Sequence, residues 1–267
     1  MKNNLIGISG KLGSGKDTVG KILQYLSAQI KLKSDYSHIK DVDFDHNLID
    51  VLNGLSLYNY DSAFKIKKFA DKLKDIVCLL IGCTREQLED REFKEKELGE
   101  EWWYYDLYKE HFPYIKTKSE NPDSWHERVK DRVVKLTPRK LLQLLGTEAG
   151  REIIHPNIWV NALFADYRGV IDERANISNW QSKWIITDVR FPNEVQSIKD
   201  NSGHVYWMKR AVFEDTHASE VTLLPENYDH DNFDGTLINE GKGKTLNALS
   251  KSVEKLYKAL RTKSYKK

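Results

Sequence analysis

Apolar positions fall along this chain in two rhythms. Short runs at Leu5–Ile8 and Trp184–Ile186 have the length and β-branched content of strands buried on both faces, as in parallel sheets. Elsewhere apolar residues recur three and four apart: Val19, Ile22, Leu23 and Leu26; Leu73, Ile76, Val77 and Leu80; Leu141, Leu142, Leu144 and Leu145; Leu246, Leu249, Val253, Leu256 and Leu260. That spacing predicts amphipathic helices. The stretch from Ala63 to Phe69 alternates apolar with basic residues, which suits a strand with one more exposed face; His204–Met208 reads as another strand, and Leu237-Ile238 as a short edge strand after the Asp234-Gly235 turn. Strands alternating with helices make this an α/β chain with a mostly parallel sheet and flanking helices.

Local signals set the boundaries. Asp71 caps a helix that Gly82 ends, and Thr84 to Gln87 has capping-box spacing. Thr137-Pro138 starts a helix carried inward to Gly146, and His155-Pro156-Asn157 begins another through Trp159, Leu163 and Tyr167. Residues 31–62 are polar, acidic and weakly periodic, which reads as loop with short elements. Glu89 to Leu98 is charge-dense, the pattern of a solvated helix face or a lid, and the aromatic-rich stretch from Trp102 to Trp125 suits the packing of an inserted subdomain. The expected organisation is a single domain over residues 1–267, with an inserted helical or lid region within about 85–135.

The chemistry gathers where strands end. After Leu5–Ser9 comes Gly10-Lys11-Leu12-Gly13-Ser14-Gly15-Lys16-Asp17-Thr18, in which Gly10, Gly15 and Lys16 satisfy the G-x-x-x-x-G-K spacing of a phosphate-binding loop. Glycines let the backbone turn tightly and aim N–H donors at one anion, and the helix that follows adds its positive end. Lys16 is placed to sit between the β and γ phosphates of a nucleoside triphosphate. The position after the lysine, ordinarily a Ser or Thr ligand of Mg²⁺, is Asp17, with the hydroxyl moved on to Thr18. A carboxylate there can hold Mg²⁺ directly, through water, or take a proton.

Other strand ends carry charge too. Trp184–Asp188 is an apolar strand closing on an aspartate, the place from which such proteins orient Mg²⁺, and Arg190 and Glu194 follow at the same ligand-binding edge. Lys74 and Asp75 lie just past the carboxyl end of the Ala63–Phe69 strand and are candidates for substrate contact, with solvated surface as the plain alternative. Arg139 and Lys140 occupy a helix's first turn, where basic residues oppose the dipole unless an anion meets them. Arg151 and Trp159 are candidates to clamp a phosphate and stack on a base, against ordinary packing or a surface ion pair. His217, Ser219 and Glu220 form an acid–base assortment that no spacing rule licenses.

Composition narrows the classes. The 42 Lys and Arg balance 40 Asp and Glu to a net charge of +2, so nothing global points to nucleic acid or an anionic membrane, and any anion site must be local. No apolar run approaches the ~18 residues of a membrane span. The two cysteines, Cys78 and Cys83, lack the further ligands of a zinc site and are expected to be buried free thiols. The chain is therefore expected to be soluble and cytoplasmic.

With these elements in order, the chain resembles the deoxynucleoside monophosphate kinases of tailed bacteriophages. The specific parts are Ser14-Gly15-Lys16-Asp17-Thr18, Thr137-Pro138-Arg139 with Leu144-Leu145-Gly146-Thr147, and Asp188-Val189-Arg190-Phe191-Pro192-Asn193-Glu194; Asp17 is usual in that family. The resemblance implies a P-loop nucleoside triphosphatase fold and transfer of the γ-phosphoryl group of ATP, with Mg²⁺, to a deoxynucleoside 5′-monophosphate. It places ATP on Leu12, Gly13, Ser14, Gly15, Lys16, Asp17 and Thr18, and the metal at Asp17 and Asp188. Lys74, Asp75, Lys140, Gly146, Thr147, Arg151, Trp159, Asp188, Arg190 and Glu194 would surround the monophosphate, with Lys16, Arg151 and Arg190 as the catalytic cations. The implied partners are small nucleotides in the cytoplasm of a host cell, with no nucleic acid or membrane, and a homodimer stays open. Two readings compete: a dephospho-coenzyme A kinase-like or other small-metabolite kinase, and an ATPase or switch module that needs no small acceptor.

Overall fold

The computed structural model describes residues 4–35, 64–105, 133–167, 182–210, 221–239 and 246–263. These form two compact units, Met1–Asp71 with Trp159–Lys267, and Lys72–Ile158. Of the regions singled out above, most of residues 31–62, the aromatic stretch beyond Tyr105, and His217, Ser219 and Glu220 lie outside the described residues.

The first unit is built on a five-stranded sheet. Its strands are β1 (Leu5–Ser9), β2 (Lys65–Lys67), β5 (Trp184–Val189), β6 (His204–Lys209) and β7 (Gly235–Ile238), in the order β2-β5-β1-β6-β7. Every neighbouring pair is parallel. The expected α/β class holds, and β1, third of the five strands, has each of its residues buried. Side chains alternate across a strand, so Ile6, Ile8 and Ile185 enter one core with Val19, Ile22, Leu23 and Leu26 of helix α1 (Lys16–Asp35) and with Leu249 and Val253 of the closing helix (Leu246–Lys263). Leu5, Trp184 and Ile186 enter a second core with Val160, Leu163 and Phe164 and with Val195 and Ile198. Those partners come from the helices Ile158–Ala165 and Pro192–Asp200 on the opposite face. Each fully buried aliphatic side chain contributes about 1.5–3 kcal/mol, so the sheet edge holding the loop rests on a rigid base.

The turn into edge strand β7 is pinned by Asp234, which accepts from Val205 N–H at 2.8 Å and meets His204 Nδ1 at 3.0 Å. Burial alone would push this carboxyl up, but the His204 contact and the backbone donor hold it below its ordinary value. A lowered folded-state value stabilises above the unfolded value and is lost as pH falls through the folded one. Asp234→Asn is accordingly expected to cost about 1 kcal/mol at neutral pH, with wild-type and variant melting curves converging in acid.

The second unit contains helix α2 (Asp71–Ile81) from Lys72 onward, the short helices α3 (Arg85–Glu89) and α4 (Arg91–Glu95), and an antiparallel ribbon of β3 (Trp103–Tyr105) and β4 (Val133–Lys135). Helix α5 (Pro138–Gln143) follows. The capping box at Thr84 forms, since its side chain accepts from Gln87 N–H while Gln87 receives Thr84 N–H. Thr137 caps α5 with Pro138 in the first turn. Three expectations need correction. Cys78 and Cys83 are half-buried free thiols rather than buried ones. The α5 helix does not stop at Gly146: it continues over Leu144–Ile154 in a wider winding, seen where His155 N–H reaches Gly150 O. Gly146 is small for packing rather than for a turn, because a Cβ there would lie 2.8 Å from Leu73 Cδ2. The apolar stripe of α2 is also narrower than expected. Leu73 and Val77, four apart, are buried, whereas Ile76 and Leu80 lie off that line and stay exposed. No described helix is long and apolar enough to cross a membrane.

Candidate functional site

The phosphate loop joins β1 to α1 at the carboxyl edge of the parallel sheet. Gly10 and Gly15 take φ values of 143° and 102°, a region that side chains strain to reach. A Cβ on Gly10 would lie 2.6 Å from Met208 O, and one on Gly15 would lie 2.9 Å from Asn239 Nδ2. The glycines are thus required both by the turn and by what lies behind it. Ser14 N–H closes the turn on Lys11 O at 3.1 Å, and Val19 N–H begins the helical ladder on Gly15 O at 3.0 Å. That start leaves the N–H groups of Lys16, Asp17 and Thr18 without intrahelical acceptors. They are the donors an anion would meet.

Two residues outside the loop hold its outer curve. Arg210, at the end of β6, donates to Gly13 O at 2.8 Å, and Asn239, just past β7, donates to Ser14 O at 2.9 Å. The loop therefore reads as a preformed cradle rather than a folded-over connection. Lys16 is largely buried, with Nζ donating to Gly10 O and, at 2.9 Å, to Lys11 O. Ser14 Oγ is buried and without a partner among the described residues. A cradle with glycine-only turns, convergent N–H donors, an ammonium and a spare hydroxyl fits a polyphosphate.

Asp17, on the first turn of α1, is held from two sides. Thr187 of β5 donates its hydroxyl to Oδ1 at 2.7 Å, and Lys68 Nζ lies 3.0 Å from the same oxygen. Burial alone would push Asp17 up, but the hydroxyl, Lys68 and Lys16 outweigh it and hold the carboxyl below its ordinary value. The helix reaches Thr187 because Gly20 faces β5, where a Cβ would lie 2.6 Å from Thr187 Cγ2. Both contacts fall on Oδ1, and the Asp17 side chain is 62% exposed. An ionised oxygen beside the phosphate cradle has the chemistry to hold Mg²⁺.

Asp188 is committed to the backbone. Its Oδ1 accepts from Phe69 N–H at 2.8 Å and its Oδ2 from Ala70 N–H at 3.0 Å, so one carboxylate clamps the turn between β2 and α2. Burial pushes its carboxyl up against the pull of those donors and of the Arg190 charge. Each oxygen retains a second lone pair. Glu194 is fully buried, and its Oε2 accepts from Arg190 N–H at 2.7 Å and Phe191 N–H at 3.1 Å. It caps the helix Pro192–Asp200 and fixes the turn bearing Arg190. Trp159 is buried in the first turn of the helix Ile158–Ala165.

Within the second unit, Lys74 pairs with Glu89 at 2.5 Å and Asp75 with Arg85 at 3.2 Å. Arg139 pairs with Glu95. This meets its charge in the first turn of α5 without an external anion. Lys140 N–H donates to the Thr137 hydroxyl that caps the helix, while Gly146, Thr147 and Arg151 follow along the wider winding.

Thr187, Lys68, Asn239 and the loop contact of Arg210 escaped the sequence reading. Thr187 carried one available signal, a hydroxyl inside an apolar strand directly before the aspartate; the others depend on strands distant in sequence. A family model described as deoxynucleotide monophosphate kinase matches residues 4–248. A deoxynucleoside-5′-monophosphate kinase of Escherichia phage T5 is 28% identical over 219 residues, covering 74% of this chain and 72% of that protein. A protein of Acanthamoeba polyphaga mimivirus named "Putative deoxynucleotide monophosphate kinase" is 34% identical over 102 residues, covering 35% of this chain and 50% of its own length.

Proposed function

Since the chain belongs to the deoxynucleotide monophosphate kinase family, and is thereby a nucleotide phosphotransferase, we propose that it transfers the γ-phosphoryl group of ATP to deoxynucleoside 5′-monophosphates, giving ADP and the deoxynucleoside diphosphates. The observation that carries this reading is the preformed cradle at Gly10–Thr18, with Lys16 at its centre and Asp17 held ionised beside it. We take the chain as a single kinase domain with an insertion or lid within about 85–135.

The acceptor is already a phosphate, so its oxygen needs positioning and charge neutralisation rather than a general base. Leu12 to Thr18 bind the triphosphate through loop N–H groups. Lys16 leaves its carbonyl partners in the loop to follow charge on the transferring group. Asp17, kept ionised by Thr187 and Lys68, and Asp188 are the residues to hold Mg²⁺, which when bound neutralises charge on the phosphates. Asp188 also fixes the turn after β2, and Glu194 aims Arg190 by holding its backbone. Arg190 and Arg151 supply the remaining positive charge, while Lys74, Asp75, Lys140, Gly146, Thr147 and Trp159 position the monophosphate.

Arg190→Ala is expected to lower kcat/KM for the monophosphate about a hundredfold, the lower end of the scale for one donor to a transferring oxyanion; an unchanged kcat/KM removes Arg190 from the site. The reading as a whole is tested by coupled ADP release with MgATP. Deoxynucleoside monophosphates, the matching ribonucleotides and dephospho-coenzyme A are offered one at a time. Turnover confined to deoxynucleotides supports it. Turnover with dephospho-coenzyme A moves the assignment to the small-metabolite kinase, and equal ADP formation without acceptor moves it to an ATPase.

A further inference from the structure

Three cations of the second unit converge on one carboxylate. Glu89, the last residue of α3, receives Lys74 Nζ from α2 at 2.5 Å, Arg85 from its own helix at 3.7 Å and Lys94 Nζ from α4 at 3.7 Å. The burial is uneven, since the side chains of Lys74 and Lys94 are 14% and 17% exposed while that of Glu89 is 45% exposed. The two lysine side chains are mostly covered and the Glu89 side chain lies more toward water. Glu89 is also badly placed for its own helix, because a negative charge in the last turn opposes the helix dipole. What keeps it there is the ring of cations.

We propose that Lys74, Arg85 and Lys94 form a cradle for the phosphate group of the acceptor, in which Glu89 is an internal anion that the incoming phosphate displaces. This rests on the reading of the chain as a nucleoside monophosphate kinase. Only Lys74 of these four was expected near the acceptor. A phosphate monoester carries up to two negative charges near neutral pH and three acceptor oxygens, against one charge on the carboxylate, so it satisfies Lys74 and Lys94 better than Glu89 does and adds to the contact that Arg85 already makes with Asp75 at 3.2 Å. Burial and the nearby charges of Lys74 and Arg139 already weigh against the charged form of Lys94, with Glu89 opposing them. A dianion relieves that crowding. The half-exposed carboxylate can swing into water, whereas the buried stems of Lys74 and Lys94 stay in place.

The alternative is that Glu89 only staples α2 to α3 and α4, and the two differ in sign. Glu89→Gln keeps the shape of the side chain and removes its charge. As a competitor, its loss is expected to lower KM for the accepted deoxynucleoside monophosphate about five- to tenfold, with kcat and KM for ATP within about twofold, the scale on which one partly desolvated charge contact acts. Lys94→Met is expected to raise that KM about tenfold, and to cancel the gain when combined with Glu89→Gln. Glu89→Ser, which also lacks the charge, serves if the glutamine variant folds poorly by circular dichroism. An unchanged or raised KM in a folded, charge-free Glu89 variant overturns the proposal while leaving the kinase assignment intact. Absence of turnover of any monophosphate by the wild-type enzyme overturns both.

Discussion

Lys16→Met is expected to lower kcat/KM about a thousandfold and leave the fold intact, the upper range for removing one charge-bearing donor from a transferring oxyanion. Lys16 is largely buried and its ammonium donates to Gly10 O and Lys11 O. Alanine would therefore remove packed stem as well as charge. Methionine keeps the stem and the volume, so it isolates the charge. The two carbonyls lose a donor, Gly10 O in a buried position, and the stability cost is expected at about 1–3 kcal/mol. Steady-state kinetics with MgATP and a thermal melt read the two effects separately. Activity within about threefold of wild type in a folded variant would mean that Lys16 does not meet the transferring phosphate.

Asp188→Asn is expected to combine a stability loss with a hundredfold fall in turnover. Both carboxylate oxygens accept backbone hydrogen bonds, from Phe69 and Ala70. An asparagine can offer its oxygen to one of them and must turn its amide donor toward the other. One backbone N–H is then left facing a donor, which costs about 1–3 kcal/mol and lowers Tm by roughly 2–4 °C for each kcal/mol in a chain of this size. The turn so loosened carries Lys68, whose ammonium meets Asp17 beside the phosphate cradle. Turnover is expected to fall about a hundredfold as that positioning is lost. A variant with wild-type Tm would show that the clamp is not formed in solution. A variant that loses stability but keeps its turnover would confine Asp188 to a structural role.

Much of the sheet was legible because its signals are local and physical. The run at Leu5–Ile8 and the run at Trp184–Ile186 allow little other than buried parallel strands, and they became adjacent strands. The phosphate loop was legible for the same reason, as Gly10, Gly15 and Lys16 each answer a backbone or charge requirement at fixed spacing. Gly146 was misread because the same residue ends helices and lets side chains approach closely, and only the presence of Leu73 decides between them. Glu194 was read at the ligand-binding edge, and its Oε2 is engaged in capping its own turn, as a glutamate three residues into a Pro-initiated helix does. That local rule was available and points inward. The ring of Lys74, Arg85 and Lys94 around Glu89 could not be read at all, because it exists only once three helices pack. Arg210 and Asn239 lie 197 and 225 residues from the loop carbonyls they hold, and sequence spacing carries no signal over such separations.

The most direct measurement follows the phosphorus atom. ATP labelled in its γ-phosphoryl group, incubated with the enzyme, Mg²⁺ and a deoxynucleoside monophosphate, is resolved by chromatography. Label recovered in the deoxynucleoside diphosphate, abolished by Lys16→Met, is the result this account predicts. Label recovered only as inorganic phosphate, at a rate independent of the monophosphate, would contradict it.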